Sequence, residues 1–142
     1  MSVASKAQAA WQGDLASGSG TTTLVSSGLG TFNVNWKARS EGSEGATTPE
    51  ELLGAAHAAC YSMAMAHALA GRGLKADSIA VASEVTFVPG EGITRIGLRV
   101  SAVVAGLDDA AFASLADDVK AECPVSKALT GTTIDLDEVT LA

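Results

Sequence analysis

The sequence lacks the features that define several large classes of protein. Nine Lys and Arg stand against sixteen Asp and Glu, and the net charge of −7, with no basic run, argues against binding to nucleic acid. Charged residues make up only 18% of the 142 residues, and the mean hydropathy of +0.27 is too high for a disordered chain. We therefore expect a folded protein, and its length is that of a single domain, residues 1–142.

Signals for export and for membrane insertion are also weak. The N-terminus contains no apolar segment of signal-peptide length, which predicts a location in the reducing cytoplasm. The stretch 52–70 carries no Asp, Glu, Lys or Arg, but it is rich in alanine and contains His57, Ser62 and His67. Because its transfer into lipid would be unfavourable, we expect a helix buried in protein and no membrane partner.

Cysteine is scarce, since the chain has only Cys60 and Cys123. The two are too far apart to form a CxxC motif, which excludes a local dithiol switch and a tetrathiolate zinc site. From the residues alone, two interpretations stay open. The cysteines are either unrelated apolar core residues, or a pair of thiols that meets only through the fold.

The first part of the chain predicts a small antiparallel sheet. Residues 21–26 and 31–37 are β-rich runs bounded by Gly and Ser turns, and Trp11 precedes them in a candidate first strand. Residues 40–46 have turn composition and no apolar anchor, so they predict an exposed loop.

A long helix is predicted over residues 49–71. Thr48 can serve as its N-cap, Pro49 occupies the first turn, Glu51 can complete a capping box, and Gly71 marks the end. Beyond Leu52 the helix is apolar on every face, so every face needs a cover. A chain of this size has little material for that purpose, which predicts a homodimer in which small residues let another helix approach.

The second half of the chain predicts an α+β fold. A β-hairpin over residues 79–104 is followed by a helix capped by Asp108, a short helix over residues 124–129 and a last strand over residues 132–141. Strands grouped around helices without a repeating βαβ pattern indicate antiparallel sheets around a long buried central helix.

The chemistry available to the two thiols depends on their surroundings. Cys123 stands directly before Pro124, at a helix N-cap whose amides lower a thiol pKa. Cys60 has no such aid, and burial would raise its pKa unless a cation came to it. Arg39, at the end of a strand run, is the most suggestive of the four arginines, the others being Arg72, Arg95 and Arg99; an exposed arginine flanking a strand is the alternative.

Two further groups on the long helix can take part. Capping needs only Glu51, so Glu50 is free to hold an arginine. His57 lies one turn before Cys60 and permits a Cys-His arrangement in principle. A hydrogen-bonded interior histidine is the favoured interpretation.

Two motifs carry a resemblance to a known family. Residues 48–60 read TPEELLGAAHAAC, and residues 123–127 read CPVSK. In order and spacing these motifs resemble the signature of the OsmC/Ohr family of thiol peroxidases, and the AAHAAC form resembles the OsmC branch. The resemblance covers nearly the whole chain. One departure is Ser40, where the family often has an aromatic residue.

The resemblance implies an intertwined homodimer that reduces organic hydroperoxides, with hydrogen peroxide as a second substrate. It implies that Cys60 is the peroxidatic cysteine, Cys123 the resolving cysteine, Arg39 the thiolate-activating arginine and Glu50 its carboxylate partner. A Cys60–Cys123 disulfide would then be recycled by an external dithiol, either of the lipoyl type or another small dithiol. No metal and no organic cofactor are implied.

Helix geometry adds a hypothesis about this site. On a continuous helix, Glu50 and Cys60 would lie about 15 Å apart along the axis, too far to share the head group of Arg39. Each site would then combine Glu50 of one subunit with Cys60 of the other, unless the helix is kinked. Two alternatives to the enzyme stay open: a non-enzymatic dimeric binding module with structural cysteines, and a metal site formed by His57, Cys60 and Cys123.

Overall fold

The computed structural model describes residues 1–42 and 44–142 of the chain. These residues form two compact units, Met1–Leu52 and Leu53–Ala142. The single-domain organisation expected from the length stays a prediction. None of the helices in the described ranges has the length and apolar character needed to cross a membrane.

The first unit contains the predicted antiparallel sheet. Its strands are β1 (Ala7–Gln12), β2 (Ser19–Leu24) and β3 (Thr31–Val34), paired in the order β1-β2-β3. We call it the open sheet, because all six residues of its strand β1 are exposed to solvent. Within the described part of this unit, only Ala38 and Glu50 are buried. The first unit therefore has almost no core within its own chain.

A short helix, α1 (Trp36–Glu41), replaces the end of the predicted strand and the start of the predicted loop. The run 31–37 alternates as a strand does, but the Asn35 side chain accepts a hydrogen bond of 2.7 Å from the amide of Ala38 and begins a helix. Gly42, at φ +77°, ends it. Ser43, also part of the predicted loop, lies outside the described residues.

The long helix α2 (Pro49–Gly71) has the predicted bounds and is 23 residues long. Thr48 is its cap, since the hydroxyl accepts a hydrogen bond of 3.0 Å from the amide of Glu51. The Glu51 carboxylate accepts a hydrogen bond from the hydroxyl of Thr47. Gly73, at φ +71°, turns the chain after the last helical residue.

The two faces of α2 differ sharply from Leu53 onward. One face buries Tyr61, Met65 and Leu69 completely. The opposite face, which we call the alanine face, is exposed and consists of Ala55, Ala56, Ala59, Met63, Ala66 and Ala70. The chain thus covers only part of the helix that the sequence analysis expected to be covered on every side.

The second unit has the expected hairpin and helices. Strands β4 (Ala76–Val88) and β5 (Gly92–Val104) pair antiparallel, and β6 (Thr133–Leu141) adds to β5 in parallel. Helices α3 (Asp109–Glu122) and α4 (Pro124–Ala128) follow β5. The core joins α2 to β5 and α3 through buried Ile96, Leu98, Val100, Phe112, Leu115 and Val119. Each such side chain contributes about 1.5–3 kcal/mol to stability when it is fully buried. The arrangement of strands and helices confirms the predicted α+β class.

Candidate active site

The fold brings the two cysteines together in the second unit. Cys60 lies in the middle of α2, and Cys123 lies at the junction of α3 and α4. Both are free thiols. Cys123 belongs to the buried core of this unit, Cys60 packs against that core, and each thiol shifts the pKa of the other. The structure therefore favours a thiol pair over two unrelated core residues.

The start of α4 sets the electrostatic environment of Cys123. Cys123 is the N-cap residue, and Pro124 at the first helical position has no N–H. The first free amides therefore belong to Val125 and Ser126. Burial raises the pKa of Cys123, but the amide and hydroxyl of Ser126, the Cys60 thiol and the Val125 amide outweigh it and lower the pKa below its ordinary value. This helix end favours a thiolate on Cys123.

Cys60 has the opposite electrostatic environment. Burial raises the pKa of Cys60, and the neighbouring Cys123 raises it further, against a smaller lowering effect of the Val125 amide. At neutral pH such a cysteine is a protonated thiol. To react as a thiolate, Cys60 needs a cation beside it.

The two sulfurs also differ in exposure, and the thiol with the raised pKa is the more accessible one. Cys123 is fully buried, whereas Cys60 is partly exposed. Cys60 contributes to the wall of a cavity of about 770 Å³ between α2 and α3. The apolar part of this wall consists of Met63, Ala64, Ala68, Leu115, Val119 and Pro124. A small molecule entering this cavity meets Cys60 and not Cys123.

Arg39 and Glu50, both in the first unit, form an ion pair. Arg39 Nε and Nη2 donate hydrogen bonds of 3.0 and 2.8 Å to Glu50 Oε1. The Glu50 carboxylate is almost completely buried, whereas about a third of the Arg39 side chain is exposed. Arg39 lies on α1, and not at the end of a strand as the sequence analysis expected. A guanidinium oriented by a buried carboxylate is suited to stabilising a nearby anion.

His57 and Ser126 form a buried polar pair at the start of α4, the helix that follows Cys123. His57 Nε2 and Ser126 Oγ are 2.7 Å apart, and both residues are buried. Burial lowers the pKa of His57, so the ring is neutral at neutral pH. This is the hydrogen-bonded interior histidine that the sequence favoured. The sequence-based prediction did not include Ser126. Its position three residues after Cys123, at the start of the same helix, could have indicated that it lies near this cysteine.

Comparison with known proteins settles the family. A family model described as OsmC-like protein matches residues 41–137. The peroxiredoxin OsmC of Escherichia coli K12 is 39% identical over 132 residues, which cover 91% of this chain and 92% of that protein. The chain belongs to the OsmC-like family.

Solved structures agree with this OsmC-like fold. An organic hydroperoxide resistance protein OsmC from Legionella pneumophila superposes with a TM-score of 0.71 at 24% identity, covering 99% of this chain and 97% of that one. The organic hydroperoxide resistance protein OhrB of Bacillus subtilis gives a TM-score of 0.64 at 25% identity, covering 96% of this chain and 98% of that one.

The remaining arginines of this OsmC-like chain have their own carboxylate partners. Arg72 pairs with Asp118 at 3.4 Å, Arg99 approaches Glu84 at 3.9 Å, and Arg95 is held by Asp135 and Asp137. All three arginine side chains are more exposed than that of Arg39. Among the described residues, no group of three His, Cys, Asp or Glu side chains is arranged to hold a metal ion.

Proposed function

We propose that this OsmC-like chain is a thiol-dependent peroxidase that reduces organic hydroperoxides. The proposal is supported by an E. coli relative named as a peroxiredoxin and a B. subtilis relative named as an organic hydroperoxide resistance protein. The observation that carries it is the arrangement of the sulfurs: Cys60 lines an apolar cavity, and Cys123 lies buried behind it in contact.

The reaction follows from this arrangement. The Cys60 thiolate attacks the terminal oxygen of the hydroperoxide, the O–O bond breaks, and the alkoxide takes a proton and leaves as the alcohol. Cys60 is now a sulfenic acid. Cys123 attacks it, an S–S bond forms, and water leaves. An external dithiol of the lipoyl type then reduces the disulfide, in the reducing cytoplasm where both cysteines rest as thiols.

Arg39 and Glu50 supply the charge that Cys60 lacks. The Arg39 guanidinium stabilises the Cys60 thiolate and then the alkoxide that departs, while Glu50 holds Arg39 in place. Because Glu50 and Cys60 are ten positions apart on one helix, each site is composite: the Arg39–Glu50 pair of one subunit serves Cys60 of the other.

The occupant of the alanine face is a second copy of this chain. The face is apolar and built of small side chains, with Met63 67% exposed, so a partner helix can approach closely. The sheet of the first unit needs cover for the same reason, since Trp11 and Phe32 stay 43% and 40% exposed. Residues 1–142 would then form one OsmC-like domain that is completed only as an intertwined homodimer.

The cavity also favours a class of peroxide. Its wall near Cys60 is largely hydrocarbon, so a hydrophobic tail loses its contact with water on binding. We expect a higher kcat/KM for tert-butyl or fatty-acid hydroperoxides than for hydrogen peroxide. Equal or reversed values would reject this preference.

Peroxide consumption with a dithiol tests the assignment of the two cysteines. Cys60→Ser should abolish turnover, because the attacking sulfur is gone. Cys123→Ser should complete the first oxidation of Cys60 but form no intramolecular disulfide, so its recycling is impaired. Identical behaviour of the two variants from the first turnover would contradict the roles, and thiols that survive stoichiometric peroxide would contradict the peroxidase.

A further inference from the structure

The hydrogen-bond pattern around His57 is asymmetric. Its Nε2 bonds to Ser126 Oγ, whereas its Nδ1 is buried without a hydrogen-bond partner in the described part of the chain. A buried N–H without a partner costs more free energy than an unpaired acceptor lone pair. The ring proton therefore belongs on Nε2, and the unpaired Nδ1 is an acceptor.

This tautomer determines what the Ser126 hydroxyl can do. With His57 Nε2–H as donor, Ser126 Oγ is the acceptor of that bond. A hydroxyl has a single proton, and that proton is then available for another acceptor. Ser126 stands three residues after the N-cap residue Cys123, the spacing at which side chains approach each other at a helix start, and its hydroxyl lowers the pKa of Cys123. His57, Ser126 and Cys123 thus form a chain of donors that ends on sulfur.

We propose that His57 is a positioning residue for the resolving step: it orients the Ser126 hydroxyl so that the hydroxyl donates to Cys123 Sγ. The inference rests on the proposed peroxidase function, but the arrangement from which it is argued involves only His57, Ser126 and Cys123. When the Cys123 thiolate attacks the Cys60 sulfenic acid, the S–S bond forms and the S–O bond breaks. The departing hydroxide combines with the proton that the Cys123 thiol released, and water leaves, so the step needs no further oxidant or reductant.

Four variants separate this role from a structural one. His57→Leu keeps most of the buried volume and removes the donor, whereas His57→Gln keeps an N–H donor. Ser126→Ala removes the hydroxyl between His57 and Cys123. Ser83→Ala is the matched control, because Ser83 also carries a buried hydroxyl in the second unit but has no hydrogen-bond partner among the described residues.

Two reactions measure the attack of Cys123. In the first, reduced protein receives one equivalent of tert-butyl hydroperoxide, and mass spectrometry follows the sulfenic acid, trapped with dimedone, and the disulfide. In the second, dithiodipyridine converts the partly exposed Cys60 into a mixed disulfide and releases a first thiopyridone. Cys123 then displaces the second thiopyridone, and this second release reports the attack of Cys123. The second reaction needs no peroxidase activity, so a failure of the proposed function leaves the test of His57 intact.

The expected result is a selective loss. His57→Leu and Ser126→Ala should slow disulfide formation and the second release about tenfold or more, the scale of a lost hydrogen bond to a charged group. Sulfenic acid formation and the first release should be unchanged. His57→Gln and Ser83→Ala should stay close to wild type. The double variant His57→Leu/Ser126→Ala should be no slower than the slower single variant, since both remove the same chain.

Three outcomes would overturn the inference. The first is an unchanged second release in both His57→Leu and Ser126→Ala. The second is an equal slowing of both releases, which a purely structural role would give. The third is a His57→Gln variant as slow as His57→Leu. If His57→Leu does not fold, the contrast between His57→Gln and Ser126→Ala decides, because only the second should be slow.

Discussion

The two compact units of the chain are built on different principles. The second unit buries a continuous core of α2, β5 and α3 side chains, and the thiols lie beside that core. The first unit is an open sheet with two buried residues in its described part, and one of them is the charged Glu50. The thiols therefore lie beside a core that the chain itself forms, while the guanidinium of the proposed reaction lies in a part that has almost no core within its own chain.

The largest expected effect tests whether the core of the second unit is self-sufficient. Phe112→Ala should lower the free energy of unfolding by about 3–5 kcal/mol, because the completely buried ring leaves a cavity. Phe32→Ala, in the open sheet, should cost less when both variants are compared at dilutions where the chain is monomeric, since the ring is 40% exposed within its own chain. Urea unfolding of both variants makes the comparison. A larger loss for Phe32→Ala would contradict the contrast between the units.

The next effect concerns the charge in the first unit. Arg39→Met should lower kcat/KM about a hundredfold, the scale of one lost electrostatic contact to a transition state. Arg39→Lys keeps the charge but not the two donors to Glu50, so it should recover only part of the activity.

A heterodimer sharpens the same prediction. One subunit carrying Arg39→Met paired with one carrying Cys60→Ser contains one intact composite site, which predicts about half of the wild-type activity. Two differently tagged subunits that are co-expressed and purified together allow the measurement. An inactive heterodimer would place Arg39 and Cys60 of one site in the same subunit.

The alanine face of α2 provides a third test. Ala66→Glu places a charge on this exposed face and should shift the protein from dimer to monomer in sedimentation experiments. Ala113→Glu is the matched control, because Ala113 is an exposed alanine on α3. Equal sedimentation of both variants and wild type would remove the alanine face from the interface.

The smallest effect concerns pH and the second unit. Burial lowers the pKa of His57 below its ordinary value of 6.5. Below that value the unfolded chain takes up a proton that the folded chain resists, so the free energy of unfolding should fall as the pH drops. His57→Gln does not titrate and should show a smaller fall in Tm between neutral pH and about pH 5.5. The control His67→Gln, at an exposed histidine, should fall as wild type does.

The sequence predicted those elements that carry their own local signals. Helix α2 has the cap Thr48, Pro49 in its first turn and Gly71 at its end, so its position could be read directly. Helix α3 has the cap Asp108 and apolar residues at helical spacing. Helix α1 was missed because one residue, Asn35, decides between strand and helix in a run that alternates. The parallel pairing of β6 with β5 depends on the whole fold and has no local signal.

The site was predictable only in part for the same reason. The motifs around Cys60 and Cys123 resemble those of a family, and that resemblance, not their spacing, indicated a thiol pair. The resemblance anticipated the Arg39–Glu50 contact, whereas the residues alone indicated only that Glu50, not needed for capping, could hold an arginine. The contact of His57 with Ser126 joins residues 69 positions apart, and neither segment contains a local signal that predicts it.

In the proposed cycle, the burial of Cys123 also determines how the Cys60–Cys123 disulfide is opened again. An incoming dithiol reaches the sulfur that faces the cavity, that of Cys60, and forms its intermolecular bond there. Cys123 is then the leaving group, and disulfide cleavage is faster when the departing thiol has a low pKa. The pKa of Cys123 is the lowered one of the pair. The regiochemistry of regeneration thus follows from which sulfur is exposed and which one faces the start of α4.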